Sequence, residues 1–161
     1  KRWPSANIVI FEPLPENITQ IEENLKANNL SAVIHPYCLG GEAGEAVFYR
    51  RKANTGGLAS VRLLPFNSTT TTKVVRLSDM VKNPSEKKCL IKLDIEGAEV
   101  DVIEDYLRIP RPNTVIIGEY HFSEQKQRLI SILKRAGWNI DFWDEVEISA
   151  SFLAKPDGLI L

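Results

Sequence analysis

The sequence has no apolar run long enough to cross a bilayer and no excess of charge of either sign. A transmembrane helix needs about 20 consecutive apolar residues. Lys and Arg number 20 and Asp and Glu number 21, so the net charge is −1. A surface that binds nucleic acid or an anionic membrane normally carries a basic excess. We therefore expect neither nucleic acid nor a membrane among the partners of this chain.

Cysteine is scarce. The only two cysteines, Cys38 and Cys89, each lie within an apolar, strand-like run. Two buried free thiols suit a reducing compartment, and a secreted domain of this size needs no such pair. These observations predict a cytoplasmic protein. A length of 161 residues is typical of one domain with a single core, so we expect one domain over residues 1–161.

Apolar runs and helical patterns alternate along the chain. The strands predicted in the first half are 7–13, 32–39, 45–51 and 73–80, and a helix is predicted over 15–29. The polar run Ser68 to Thr72 predicts a mobile loop, because its complexity is low. The second half predicts strands at 89–94, 114–121, 138–143 and 157–161, with helices at 97–106 and 123–137. This order predicts an α/β fold with a largely parallel sheet and an antiparallel pair of strands at its end.

Acidic side chains and one imidazole stand where the predicted strands end. Glu12 closes the first strand, Asp94 closes "CLIKL", and Glu119 and His121 close "TVIIG". Ligands of parallel sheets bind at the carboxyl ends of the strands, so we expect these groups at one edge. Asp94 and Glu119 are candidates for a functional role, and His121 beside Glu119 is a candidate for proton transfer.

The acids of the next helix have a simpler interpretation. Glu96 and Glu99 lie at its predicted start, where negative charge stabilises the helix dipole. We favour this structural role for Glu99 and for Asp101 over a role in chemistry.

Several segments together resemble the FkbM-type family of S-adenosylmethionine-dependent methyltransferases. They are "VIFEPLPENI", "YCLGGEAGEAVFY", "NTGGLASV", "VVRLSDMV", "LIKLDIEGAEVDVI" and "VIIGEYH", in that order. The most specific signal is "KLDIEGAE" with "FEP" upstream. The resemblance covers nearly the whole chain and implies a class I, Rossmann-like methyltransferase fold with helices on both faces of the sheet. It also implies O-methylation of a hydroxyl on a sugar or another small molecule.

The resemblance assigns roles to individual residues. Glu12 resembles the acid that receives the ribose hydroxyls of S-adenosylmethionine, and a carboxylate can accept from both hydroxyls. Cys38 and Leu39 resemble positions that line the adenine. Asp94 resembles the acid near the methionine end of the cofactor and the acceptor. Glu119 or His121 would then remove the proton from the acceptor hydroxyl.

In one respect the chain departs from the family pattern. "KRWPSAN" resembles the tail of the first helix, so we expect the central strand of the class I sheet and its glycine loop to be missing from residues 1–161. A non-catalytic remnant is therefore the alternative to an enzyme. A domain that binds another nucleotide is disfavoured, because no phosphate-cradling glycine loop is present. A Mg²⁺ ion held by Asp94 and Glu119 is less favoured than a metal-free acid–base pair. The exposed edges of an incomplete sheet also predict either marginal stability or pairing with another segment or another copy, and the latter would be a homo-oligomer.

Overall fold

The computed structural model describes residues 5–50, 56–58, 68–81, 88–121, 123–144 and 149–159. The strands are β1 (Val9–Phe11), β2 (Val33–His35), β3 (Cys38–Leu39), β4 (Gly44–Arg50), β5 (Gly56–Leu58), β6 (Ser68–Val75), β7 (Cys89–Leu93), β8 (Thr114–Tyr120), β9 (Trp138–Trp143) and β10 (Ala150–Pro156). The helices are α1 (Pro15–Ala27), α2 (Leu77–Met80), α3 (Glu99–Tyr106) and α4 (Ser123–Arg135). The predicted α/β class is confirmed. No helix among the described residues is long and apolar enough to span a bilayer.

The described strands form three sheets. Their orders are β1–β2, β7–β8–β10–β9 and β3–β6–β4–β5. Parallel pairing joins β1 to β2, β3 to β6 and β7 to β8. The other pairs are antiparallel, so the strand arrangement is more mixed than the sequence predicted. Neither β1 nor β7 has a second neighbour among the described residues.

The main hydrophobic core lies where α3 and α4 pack on the β7–β8–β10–β9 sheet. Ile103 of α3, Ile116 of β8, Leu129 and Leu133 of α4 and Phe152 of β10 are all fully buried. Each such side chain contributes about 1.5–3 kcal/mol when it leaves water. This core therefore fixes the carboxyl ends of β7 and β8 relative to each other.

A smaller cluster supports the β3–β6–β4–β5 sheet. It is formed by Leu14, Cys38, Phe48 and Val74. Leu14 precedes α1, whose own residues are all partly or fully exposed. The helix is therefore held mainly by its N-terminal connection rather than by a buried face of its own.

The strand predicted over 32–39 is in fact two strands. Pro36 separates β2 from β3, because proline has no N–H to donate to a ladder. The two parts have different partners: Val33 is opposite Val9 of β1, whereas Cys38 is opposite Val74 of β6.

The prediction of a loop at Ser68 to Thr72 is wrong. These residues form the first part of β6 and pair with β4, with Thr72 opposite Ala46. Threonine is β-branched and favours an extended backbone, which outweighs the low complexity of the run. Gly56 and Gly57, expected in the same polar connection, belong to β5.

The strand predicted over 73–80 ends earlier than expected, at Val75. The residues that follow form α2, which is stabilised by a contact within the turn and a contact with α3. Arg76 forms a two-pronged ion pair with Asp79 at 2.8 Å, and Ser78 donates a hydrogen bond to Asp105 of α3.

The strand predicted at 157–161 is also wrong where the structure describes it. Asp157 and Gly158 form a turn in which Gly158 has φ +78°, and Leu159 N donates to Pro156 O. Residues 160–161 lie outside the described residues. The last strand is β10, over residues that the sequence did not predict as a strand. It pairs antiparallel with β9, so the final two strands do form an antiparallel pair, but with an earlier second strand than predicted.

Candidate active site

The structure brings Asp94, Glu119 and His121 together at one edge of the sheet. One ligand atom from each of the three side chains lies within 4.8 Å of those of the other two. The parallel register of β7 and β8 explains this, because Leu93 is paired with Gly118. Asp94 and Glu119 directly follow that pair, and His121 lies just beyond the end of β8. The predicted meeting of these three groups at a shared strand end is confirmed, whereas Glu12, which was expected at the same edge, follows β1 in a separate two-stranded sheet.

A tight turn separates Asp94 from α3. Glu96 has φ +59° and Gly97 has φ +113°, and only glycine adopts the second value without strain. Glu99 closes the turn from the first position of α3. Its Oε1 accepts a hydrogen bond from Ile95 N at 2.9 Å, and its Oε2 accepts one from Gly97 N at 2.9 Å.

His121 lies between two carboxylates. Its Nδ1 is 3.2 Å from Glu99 Oε1, and its Nε2 is 4.0 Å from Asp94 Oδ1. The contact with Glu99 raises the pKa of His121 above its usual value, although partial burial of the ring opposes the shift. Glu96 and Asp94 add to the increase, because both carboxylates favour the charged imidazole.

Gln125 of α4 joins the two loops that carry these residues. Its Oε1 accepts a hydrogen bond from His121 N at 3.3 Å, and its Nε2 donates to Gly97 O at 2.8 Å. The turn after β7 and the end of β8 are thus tied through one side chain. This link restricts how far His121 can move away from Asp94 and Glu99.

Asp94 is accessible from solvent. Its side chain is 41% exposed, and Lys92 Nζ lies 3.1 Å from Asp94 Oδ2 in an exposed ion pair. Such a pair contributes little to stability, about 0–1 kcal/mol. A polar ligand that approaches this edge can therefore replace the lysine at low cost.

A cleft of about 440 Å³ lies between β1 and β7. Its lining includes Val9 and Phe11 of β1, Leu39 of β3, Leu90 of β7, and Asp94 just beyond β7. The walls are mainly apolar, and Asp94 and Lys92 supply charge at one end. Val9 and Leu90 in its walls are 46% and 58% exposed, so it is an open groove beside the unpaired edges of β1 and β7 in the described part of the chain.

The residues that the resemblance assigned to the cofactor lie in different surroundings. Glu12 is half-buried, and its Oε1 accepts a hydrogen bond from Leu14 N at 2.8 Å, just before α1 begins. Leu39 lines the cleft, whereas Cys38 is buried in the smaller hydrophobic cluster. The roles of Glu12, Cys38 and Leu39 towards a cofactor stay predictions.

The sequence interpretation missed two residues of this site. Glu99 was assigned to the helix dipole, but it is fully buried and contacts His121. The available signal was a charged residue within "GAEV", where every other side chain is small or apolar. Gln125 has no distinguishing signal in the sequence. For Asp101 the structural role fits, because it is exposed and pairs with Arg128 at 2.6 Å.

Comparison of the sequence with those of known proteins shows the family to which the chain belongs. Residues 1–140 match the family model of the Methyltransferase FkbM domain. A curated relative, Methyltransferase 1 of Beauveria bassiana (strain ARSEF 2860), is 29% identical over 125 residues, which are 64% of this chain and 50% of the relative. The chain thus spans about half the length of the curated relative that it matches.

Two solved structures are similar at low sequence identity. The precorrin-6y C5,15-methyltransferase of Geobacter metallireducens GS-15 aligns with a TM-score of 0.48 and 13% identity, over 96% of this chain and 69% of its own. A methyltransferase of Thermoplasma acidophilum, whose assignment is described as putative, aligns with a TM-score of 0.39 and 15% identity, over 98% and 71%. The family assignment rests instead on the match over residues 1–140. This chain belongs to the FkbM methyltransferase domain family.

Proposed function

We propose that this chain is the catalytic domain of an S-adenosylmethionine-dependent methyltransferase that methylates a hydroxyl group of a small molecule. The observation that carries this proposal is the cluster of Asp94, Glu119 and His121 at the open edge of the sheet, in a chain of this family. Methyl transfer to a hydroxyl requires an oriented oxygen and a group that takes its proton. The cluster supplies both kinds of group.

The family implies S-adenosylmethionine as the methyl donor, and its site in this proposal lies at the carboxyl ends of β1 and β7. Phe11 and Leu39 would contact the adenine ring, and Asp94 lies towards the methionine part of the cofactor. Glu12 follows Phe11 of the cleft wall and would accept hydrogen bonds from the ribose. When bound, the cofactor supplies an electrophilic methyl group on a sulfonium.

The task of the protein side chains is to prepare the acceptor oxygen. In this proposal His121 takes the hydroxyl proton at Nε2, the ring nitrogen that faces Asp94. The hydroxyl has a single proton and donates it to His121, so Asp94 and Glu119 act by stabilising the imidazolium that forms. General base catalysis of this type contributes about 10²–10⁴-fold to the rate.

The same three side chains favour a second candidate for the reaction, assistance by a divalent cation. Two carboxylates and an imidazole within 4.8 Å of one another could bind Mg²⁺, which would lower the pKa of an acceptor hydroxyl. We favour the metal-free base because Mg²⁺ prefers oxygen ligands and only two of the three groups supply them. Methyl transfer after exhaustive chelation, with and without added MgCl₂, separates the two candidates. Full activity in chelator supports the base, and activity that returns only with Mg²⁺ supports the cation.

Cofactor binding is tested by titration calorimetry with S-adenosylmethionine. Glu12→Ala should weaken binding by about 1.5–3 kcal/mol, the value of hydrogen bonds to a charged group. Glu12→Gln is the matched control, because it keeps an acceptor for Leu14 N and so preserves the start of α1. Its affinity should fall between those of the wild type and the alanine variant. Unchanged affinity in Glu12→Ala would remove Glu12 from the cofactor site.

The base is tested by methyl transfer to a panel of sugar and other small-molecule hydroxyls. His121→Asn should lower kcat by about 10²-fold or more while leaving cofactor affinity within a factor of about three. His35→Asn is the control: the chain has two histidines, and His35 lies in β2, stacked between Phe11 and Tyr37. Full activity of His121→Asn would refute the assignment. A wild-type protein that binds no S-adenosylmethionine would instead favour the non-catalytic alternative.

A further inference from the structure

We propose that Glu99 is a positioning residue that fixes the ring of His121 and keeps its proton on Nδ1, so that Nε2 is the nitrogen available for chemistry. This inference rests on the proposed function for its catalytic consequence. Its structural part, the state of the imidazole, can be measured without any reaction.

The first observation is the burial of a charged side chain. Glu99 is fully buried in the surroundings of the main hydrophobic core. An ionised carboxylate in such a place is costly unless hydrogen bonds replace its hydration. Glu99 accepts two such bonds, from Ile95 N and Gly97 N. Both of its oxygens are thereby fixed in position before any contact with His121 is considered.

The second observation is the nitrogen that faces this carboxylate. His121 Nδ1 is buried and makes no hydrogen bond of good geometry, yet it lies 3.2 Å from Glu99 Oε1. A neutral imidazole carries one proton, on either nitrogen. With the proton on Nε2, the lone pair of Nδ1 would face a carboxylate oxygen. With the proton on Nδ1, an N–H dipole faces that oxygen, which is the favourable arrangement.

The remaining charges around the ring do not reverse this preference. Glu96 in the turn, Asp94 after β7 and Glu119 on β8 are all acidic. Glu99 Oε1 lies 3.2 Å from Nδ1, which is closer than the 4.0 Å between Asp94 Oδ1 and Nε2. Glu99 therefore determines which tautomer is favoured, and Asp94 lies near the group that would bind to Nε2.

The third observation is that the backbone around the pair is held separately. Gln125 bonds His121 N and Gly97 O, so the loops stay together through a neutral side chain. Removal of Gln125 should loosen the loops without removing the charge that faces Nδ1. Gln125→Ala is thus a control that separates loop geometry from the carboxylate of Glu99.

The direct test is the tautomer of His121 in the wild-type protein. Long-range ¹H–¹⁵N correlation spectra distinguish a protonated ring nitrogen from an unprotonated one, and His121→Asn assigns the signals by their loss. We expect His121 to be protonated on Nδ1 at a pH where the ring is neutral. A His121 that is protonated on Nε2, or that exchanges between the tautomers as a free histidine does, would overturn the proposal. The outcome does not depend on methyl transfer.

The catalytic consequence is tested by a double-mutant cycle. Glu99→Gln should lower kcat by about tenfold or more, a small part of the effect of a general base. In the His121→Asn background the same change should lower kcat by less than about twofold, because Glu99 acts through His121. If the fold-decreases in kcat of the two single variants multiply in the double variant, Glu99 acts independently of His121 and the positioning role is wrong. Gln125→Ala should retain the Nδ1-protonated signal of His121.

Stability is measured in parallel, because glutamine offers a single acceptor oxygen to the two N–H groups that Glu99 now binds. Urea unfolding reports this structural cost in all four members of the cycle. If Glu99→Gln does not fold, Glu99→Asp replaces it: the charge remains but moves away from Nδ1. The Nδ1-protonated state should then lose its dominance, and its full retention would refute the role. Full activity of His121→Asn with the expected tautomer would reject the proposed base but leave the positioning inference intact.

Discussion

Gly118 of β8, opposite Leu93 of β7, has no space for a side chain. A Cβ atom at this position would lie 2.8 Å from Leu93 O and 2.8 Å from Phe152 Cζ. Neither neighbour can move easily, because one is backbone in a paired strand and the other is a fully buried ring. Gly118→Ala must therefore separate β7 from β8 or displace Phe152.

The expected cost follows from the severity of these contacts. Overpacking of a core typically costs 1–3 kcal/mol, and two contacts below 3 Å argue for the upper end, about 3 kcal/mol. A domain of this size loses roughly 2–4 °C of Tm per kcal/mol, so Tm should fall by about 6–12 °C. Thermal unfolding followed by circular dichroism measures the change. Asp94 and Glu119 follow the displaced pair, so methyl transfer should fall as well.

Gly137→Asn is the control for this prediction. Nothing lies within 4 Å of a Cβ at Gly137, and asparagine tolerates its φ of +71°. Its free energy of unfolding should stay within about 1 kcal/mol of wild type. A Gly118→Ala protein as stable as the control would show that β7 and β8 are not as closely packed as the structure indicates.

Three further predictions concern other parts of the chain. Arg111 is buried, donates hydrogen bonds to Tyr106 O and Val81 O, and lies over the Tyr106 ring. Arg111→Lys should therefore lower the free energy of unfolding by about 1–2 kcal/mol, and an unchanged urea midpoint would contradict this. Burial raises the pKa of the Cys38 thiol to about 11. Because the thiolate is the reactive form, iodoacetamide should label Cys38 slowly at pH 8 and faster as the pH rises towards 11. Rapid labelling of the folded protein at pH 8 would argue against a buried thiol. Leu90 of β7 is 58% exposed, and β7 has a single strand neighbour within the described residues, so this edge should promote self-association. Sedimentation velocity would detect the association and Leu90→Lys should reduce it; equal sedimentation of the two proteins would exclude this edge as the contact.

Local pattern was enough to predict much of this fold. The β7 and β8 strands could be predicted because each is an apolar run that a charged or polar segment ends, and α4 because its apolar residues recur at helical spacing. The incorrect predictions of secondary structure arose where the local sequence is compatible with two kinds of element. The threonine run could form a loop or a strand, and only its pairing with β4 distinguishes the two. The segment after Val75 became α2 through contacts with α3, which the local sequence does not show.

For the site, the sequence determined which chemical groups stand at the strand ends. Asp94, Glu119 and His121 could be named because each lies at or just after the end of an apolar run, and parallel strands end at a common edge. The tertiary structure alone decided which groups touch. Glu99 and His121 are 22 positions apart (121 − 99), and their contact depends on the register of β7 with β8 and on the turn at Gly97. The sequence therefore predicted a candidate base, and only packing between distant segments showed that Glu99 is the carboxylate that contacts Nδ1 of His121.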